Sequence, residues 1–210
     1  MSRRMSEDGF MNNGIVDIIN LYYTPGTLAH DVLVRHSEMV AGAAVSIALR
    51  VAHLEPDIDF VSEAAMLHDI GIFFTHSPGI GCSGDYDYVC HGYLGRTLLE
   101  KHGLYRHAMV CERHVGVGLE VCDISGMGLP IPVRDMRPET IEEKIICYAD
   151  LFFSKTPAPA GTMHTVDSVR ASLKKFGKSK VDRFNRWLDM FGPPPAHAAC
   201  DEISVVHSAS

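Results

Sequence analysis

The sequence lacks several features that would place it in a familiar class of protein. Its six cysteines form no Cys-x-x-Cys pair, which argues against a structural zinc knuckle. They are scattered through 210 residues, a length that can bury a full core without disulfides, so we expect reduced thiols and a cytoplasmic protein. No apolar segment follows the polar N-terminus, and no run approaches the ~20 apolar residues that span a membrane. Neither a signal peptide nor a membrane partner is therefore expected.

An excess of positive charge is also missing. The formal net charge is −7, whereas surfaces that bind nucleic acids are usually basic. We therefore expect no nucleic-acid polymer among the partners. A small anionic substrate is compatible with this charge, because a bound metal ion can supply local positive charge.

Strand patterns with a period of two residues are absent too. Apolar residues instead recur at helical spacing, so the sequence predicts an all-α fold. The expected N-caps are Thr27, Asp59 and Thr140, and Gly71 is expected to end a helix. The predicted helices cover residues 13–23, 28–53, 60–70, 91–101, 105–114, 140–153, 166–176 and 180–191.

These elements suit a single domain over residues 1–195, whose C-terminal helices lie within 166–191. The prolines at 193–195 end the folded part, and a disordered tail is expected at 196–210.

What the sequence does contain is a set of histidines and aspartates beside apolar helical stripes. His68 and Asp69 stand together at the end of the run that closes the 60–70 helix. An apolar helix gains nothing by carrying these groups inward unless something pairs with them, and a divalent metal would be such a partner. Similar candidates on other predicted helices are His36, His91, His114 and Asp150. One such residue is usually an ordinary core or surface group, but six on five predicted helices favour a metal site between facing helices.

The order of these residues resembles a known signature. His36, then His68-Asp69, then Asp150 resembles the H…HD…D pattern of the HD-domain superfamily of metal-dependent phosphohydrolases, and His68-Asp69-Ile70-Gly71 resembles its HDIG variant. The resemblance covers about residues 24–155 and implies an HD-domain helical bundle with a metal site in its core.

His91 and His114 resemble the two additional histidines of binuclear members. The resemblance implies that His36, His68, Asp69 and Asp150 hold one metal and that His91 and His114 hold a second, with Asp69 bridging. Two divalent transition metals are thus expected; iron or manganese is favoured, and cobalt, nickel and zinc are alternatives.

The activity implied is hydrolysis of a phosphate ester of a nucleotide or another small phosphorylated metabolite, by water that the metals activate. His68, Asp69 and Lys155 are the expected catalytic residues. A di-iron oxygenase uses the same ligand plan and is an alternative, as is a non-enzymatic ligand sensor. The HD-GYP cyclic-dinucleotide phosphodiesterases carry a Gly-Tyr-Pro segment after the HD helix, which is not present at 72–74.

Four residues are weaker candidates for substrate contacts. Lys155 follows Asp150 and is either a phosphate ligand or a solvated group at the helix end. Arg96 and Arg113 are candidate anion ligands, with pairing to a carboxylate as the alternative for Arg113, and His76 is a candidate acid or lid residue.

Overall fold

The structure is a computed structural model that describes residues 10–155 and 163–194. In these ranges helices dominate, which confirms the predicted all-α fold, and the tail predicted at 196–210 lies outside them. The α-helices are α1 (Phe10–Tyr22), α2 (Leu28–Arg50), α3 (Ile58–Leu67), α4 (His91–Lys101), α5 (Tyr105–Arg113), α6 (Val121–Met127), α7 (Ile141–Asp150), α8 (Val166–Lys174) and α9 (Lys178–Phe191). Short 3-10 helices cover Ala52–Leu54, Ile70–Phe74, Pro78–Ile80 and Tyr88–Cys90.

Helix α2 is the centre of the fold. It packs against α3 and α7, and its facing residues Val40, Ala44 and Ile47 are fully inaccessible. Helix α9 covers the far side of α7, where Phe184 and Phe191 pack against the ring of Tyr148. A second apolar cluster joins α1 to the segment after α3 and to α4 and α5. The helices that carry the candidate ligands are therefore held on both sides by buried apolar contacts.

Helix α2 also corrects one expectation. By length and composition alone it is long and apolar enough to cross a membrane, although half of its most apolar window is buried inside the protein. A core helix of a folded bundle passes the same test. The expectation that no segment approaches that length was therefore wrong, and the exclusion of a membrane partner is unsupported.

The helix boundaries follow the predictions closely where a side chain caps the backbone. Thr27 accepts a hydrogen bond from the amide of His30, and Thr140 accepts one from the amide of Glu143, as expected for N-caps. The predicted cap Asp59 was wrong, because the side chain that accepts from the amide of Phe60 is that of Asp57.

Helix α6 and a pair of short strands were not predicted. Helix α6 lies where no helix was expected; the side chains of Glu120 and Asp123 form a reciprocal capping box at its start. The strands β1 (His76–Ser77) and β2 (Cys82–Ser83) pair antiparallel, with His76 opposite Ser83. Two-residue strands are too short to show a period in the sequence.

Gly71 does not end a helix as predicted. Helix α3 stops at Leu67, and Gly71 lies inside the 3-10 segment Ile70–Phe74. A Cβ atom on Gly71 would overlap the carbonyl oxygen of His91 and the backbone of Gly95. The glycine is required because the 3-10 segment runs directly against the start of α4.

We expect Gly71→Ala to lower the free energy of unfolding by about 1–3 kcal/mol, because α4 must move to admit the methyl group. Urea unfolding followed by circular dichroism measures this change. Gly79→Ala is the matched control, since a Cβ there meets no atom within 4 Å. Equal stability of the two variants would show that the close approach at Gly71 does not matter.

Candidate metal centre

The six predicted ligands lie close together, because most of them stand at the ends of helices. His36 lies in the middle of α2, and the other five stand at a terminus or next to one. His68 caps the C-terminus of α3 and Asp69 follows it, Asp150 ends α7, His91 begins α4, and His114 caps the C-terminus of α5. Side chains from five separate segments of the chain thus converge on the interior of the bundle.

The first group of side chains surrounds one oxygen of Asp69. The Nε2 atoms of His36 and His68 lie 3.2 and 3.1 Å from Asp69 Oδ2. Asp150 Oδ1 lies 3.0 Å from His36 Nε2 and 3.5 Å from His68 Nε2. Ligands bound at about 2.1 Å to one cation are themselves about 3.0–3.4 Å apart, which is the spacing observed.

The second group surrounds the other oxygen of the same carboxylate. Asp69 Oδ1 lies 3.4 Å from His91 Nε2 and 3.2 Å from His114 Nε2, and the two imidazole nitrogens are 3.1 Å apart. The two groups could therefore each hold one cation, with Asp69 common to both. A carboxylate can serve two cations because it has two acceptor oxygens.

Hydrogen bonds to the backbone fix which nitrogen of each histidine is free. The Nδ1–H groups of His68, His91 and His114 donate to the carbonyl oxygens of the residues three positions earlier, at 2.6, 2.6 and 2.7 Å. The Nε2 atoms, which face Asp69, are consequently the atoms available as ligands. Such outer bonds are typical of histidines that bind metals.

These atoms fit a bound cation better than they fit one another. Because the Nδ1 atoms of both rings face carbonyl oxygens, the ring hydrogen is placed there and the Nε2 atoms of His91 and His114 face each other without a hydrogen to share. Neither oxygen of Asp69 accepts a hydrogen bond of acceptable geometry, and the carboxylate is completely buried. A divalent cation in each group would satisfy these polar atoms, which are otherwise costly to bury.

The electrostatics of the first group show how the charges balance without metal. Burial raises the pKa of Asp69, but the charges of His68 and Lys155 outweigh it and hold that pKa well below its usual range. Burial lowers the pKa of His68, yet the carboxylates of Asp69 and Asp150 raise it to about 10. A proton and an ammonium group therefore neutralise carboxylates that a cation would otherwise neutralise.

His91 in the second group stays neutral. Burial lowers the pKa of His91 to about 3, and the attraction of Asp69 does not offset this effect. A neutral imidazole is the form that binds a metal, so His91 needs to lose no proton first.

Lys155 lies at the border between this cluster and solvent. Its Nζ is 2.7 Å from Asp69 Oδ2 and 3.9 Å from Asp150 Oδ1. Burial lowers the pKa of Lys155, but Asp150 and Asp69 hold it above its ordinary value. The same side chain lines an open cleft whose walls include Tyr88 and His164. Neither wall residue could be predicted from the sequence, since neither belongs to a ligand pattern.

The other predicted substrate residues lie elsewhere. Arg113 is paired with Glu143 and Glu139, which is the structural alternative considered for it. His76 is exposed in β1, and no contact with the cluster is recorded for it among the described residues. Its role stays a prediction.

Arg96 takes part in a network of ion pairs around the buried Glu112, which the sequence did not reveal. Its guanidinium group contacts Glu100 at 2.7 Å and Glu112 at 2.6 Å, and Glu112 also pairs with Arg134. Glu112 is buried two residues before His114, so this ion pair ties the helix of His91 to that of His114.

Comparison with known proteins identifies one family and several relatives. The sequence model of the family described as HD domain matches residues 33–153. An uncharacterized protein of Methanocaldococcus jannaschii is 32% identical over 155 residues, which cover 72% of this chain and 82% of that protein. No solved structure matches the chain significantly.

Two further relatives are named tRNA (cytidine(56)-2'-O)-methyltransferase. That of Picrophilus torridus is 36% identical over 124 residues, 58% of this chain and 31% of that protein. That of Thermoplasma volcanium is 34% identical over 137 residues, 65% of this chain and 35% of that protein. The chain thus spans about a third of the length of these two relatives.

These names correct the expectation about partners. Two relatives of this chain are enzymes named for the modification of a tRNA. The prediction that excluded nucleic-acid polymers was therefore wrong.

The shared carboxylate leads to a first prediction for this centre. We expect His91→Ala to leave one metal per chain, because the first group keeps all its ligands, whereas Asp69→Ala should leave none. Elemental analysis after loading with Mn²⁺ and gel filtration measures both. Loss of both metals from His91→Ala, or retention of one by Asp69→Ala, would contradict a bridging Asp69.

The ion pairs around Glu112 lead to a second prediction. Glu112→Gln should reduce the free energy of unfolding by about 2 kcal/mol, since it removes the charged partner of two arginines. It should also weaken metal binding by the second group and leave metal binding by the first group unchanged. Glu100→Gln is the control, because that carboxylate is more exposed and its loss should cost less than about 1 kcal/mol. Chemical unfolding and metal titration measure the two effects, and similar losses in both variants would contradict the network's role.

Proposed function

This chain belongs to the HD domain family, and on that premise we propose that it hydrolyses phosphate esters with the help of two divalent metals. The proposed substrates are nucleotides or other small phosphorylated metabolites. One observation carries this proposal: the two oxygens of the buried Asp69 carboxylate each face a separate set of imidazole nitrogens at 3.1–3.4 Å. This arrangement fits a pair of cations that share one ligand.

The residues of the chain divide the work between them. His36, His68, Asp69 and Asp150 would hold the first metal, and His91 and His114 would hold the second together with Asp69. When bound, two such cations lower the pKa of a water molecule and neutralise charge that develops on a phosphoryl group. The protein fixes the imidazole tautomers through carbonyl oxygens, which positions the ligand atoms before a substrate arrives.

The open cleft beside the cluster is the proposed entry for the substrate. Asp150 and Lys155 are the parts of the centre that solvent reaches, with side chains 14% and 16% exposed. The cleft is lined by Lys155 on one side and by Tyr88 and His164 on others. A phosphate that enters there meets the ammonium group before it meets the buried ligands.

RNA that carries a phosphate ester is included among the proposed substrates. Relatives of this chain are named for tRNA modification, and the match covers only about a third of their length. A phosphate ester carried on a tRNA is therefore a proposed substrate beside free nucleotides.

An assay of phosphate release tests the proposal. The protein loaded with Mn²⁺ or Fe²⁺ is incubated with nucleoside monophosphates, cyclic nucleotides, sugar phosphates and tRNA bearing terminal phosphates. We expect release of inorganic phosphate or opening of a diester from at least one class, and a loss of about 100-fold or more in His68→Ala, because the first metal loses a ligand. His53→Ala, at an exposed position outside the cluster, should keep full activity.

A second candidate, a di-iron oxygenase, is favoured by the four imidazoles among the six ligands, which suit iron. The same preparation separates the two functions. Oxygen uptake that requires iron, without phosphate release from any substrate class, would support the oxygenase and contradict the hydrolase. Hydrolysis that proceeds under argon with Mn²⁺ would exclude the oxygenase.

A further inference from the structure

Lys155 stands between two spaces in the protein. One is a small apolar cavity that reaches His36 and Asp69, and the other is the open cleft of Tyr88 and His164; Lys155 lines both. Its side chain is 16% exposed, so it separates the buried ligands from solvent. Lys155 is thus a described residue that both spaces share.

The ammonium group of Lys155 contacts an atom that the first metal also requires. Its Nζ lies 2.7 Å from Asp69 Oδ2, the oxygen that faces His36 at 3.2 Å and His68 at 3.1 Å. It also approaches Asp150 Oδ1 at 3.9 Å. Both carboxylates of the first group are thus compensated by Lys155 in this structure. A divalent cation bound to the same oxygens would repel the ammonium group.

The cleft offers the ammonium group another place. The flexible four-carbon stem of lysine lets its charge move while the backbone stays fixed. Tyr88 lines this cleft together with Lys155, and its ring packs against His91 with centroids 4.7 Å apart. His164 also lines the cleft, and its backbone amide donates to the carbonyl of Phe152 at 2.9 Å.

We propose that Lys155 competes with the first metal for Asp69 and that, once this metal is bound, its ammonium group turns into the cleft and binds the phosphate of the substrate. The inference rests on the proposed function for its phosphate half, whereas the competition for Asp69 concerns metal binding alone. Lys155 is then a residue that binds the substrate. The cleft carries a positive charge for an anion only when the metal that the reaction needs is present.

The competition predicts effects of opposite sign for a single substitution. Lys155→Met removes the rival cation, so Mn²⁺ should bind the first group about ten-fold more tightly. It also removes the phosphate ligand, so inorganic phosphate should bind the Mn²⁺-loaded protein about ten-fold more weakly. The metal-free variant should melt at a lower temperature than the wild type, because Asp69 loses its compensating charge. The loaded variant should melt at the wild-type temperature or above.

Isothermal titration with Mn²⁺ and then with inorganic phosphate, together with thermal melts, measures these quantities. Lys175→Met, at an exposed position on the end of α8, is the matched control and should change none of them. Lys155→Gln is the second variant, because it removes the charge but keeps a hydrogen-bond donor for Asp69. Lys155→Gln should shift both affinities in the directions expected for Lys155→Met. It therefore tests the proposal even if the Lys155→Met variant does not fold.

The outcomes separate the two parts of the inference. Unchanged or weaker Mn²⁺ binding in both Lys155 variants would overturn the competition. Tighter Mn²⁺ binding with unchanged phosphate affinity would overturn the movement into the cleft. Opposite shifts in the two affinities, in a protein that hydrolyses none of the tested esters, would support the inference and contradict the proposed function.

Discussion

The buried carboxylate of Asp69 is the constraint on which the rest of this structure depends. A charge without solvent contact has to be compensated nearby, or its burial would oppose folding. Here His68 and Lys155 supply that compensation at Oδ2, which His36 also faces, whereas Oδ1 faces His91 and His114, which would hold a cation there. The contact between Gly71 and the start of α4 follows from this requirement, because it brings His91 close enough to reach Asp69.

The imidazoles are oriented by the helices that carry them. The carbonyl groups in the last turn of a helix have no intrahelical partner, and the Nδ1–H groups of His68 and His114 take up two of these carbonyls, at Ala65 and Cys111. His91 makes the same contact with Tyr88 across a 3-10 turn. One local interaction thus satisfies a helix end and selects the ligand nitrogen. Backbone carbonyl groups therefore orient the imidazoles, and the ion pairs of Glu112 hold the helices of His91 and His114 together.

This local origin explains what the sequence could predict. Helix α4 was predicted at its observed bounds because periodicity is a property of short segments. The six side chains that meet around Asp69 were singled out by the order of His and Asp residues along the chain. The reason for Gly71 could not be read, since it depends on Gly95, a residue on another element. The same holds for the pairs of Glu112 with Arg96 and Arg134, and for the contact of Lys155 with Asp69. Pairing over such distances is set by packing, which periodicity does not encode.

The failed exclusion of nucleic acids has a physical reason of the same kind. Net charge is a sum over all residues, whereas an anion responds to the charges within about one Debye length of it. Several acidic residues form ion pairs with basic residues inside the protein, so their charges are locally neutralised. Glu112, Glu120 and Asp123 are examples. Exposed basic groups remain on α8 and α9, including Lys174 and Arg186. A chain with a net charge of −7 can therefore present locally positive surfaces, and metal ions in its centre would add to them.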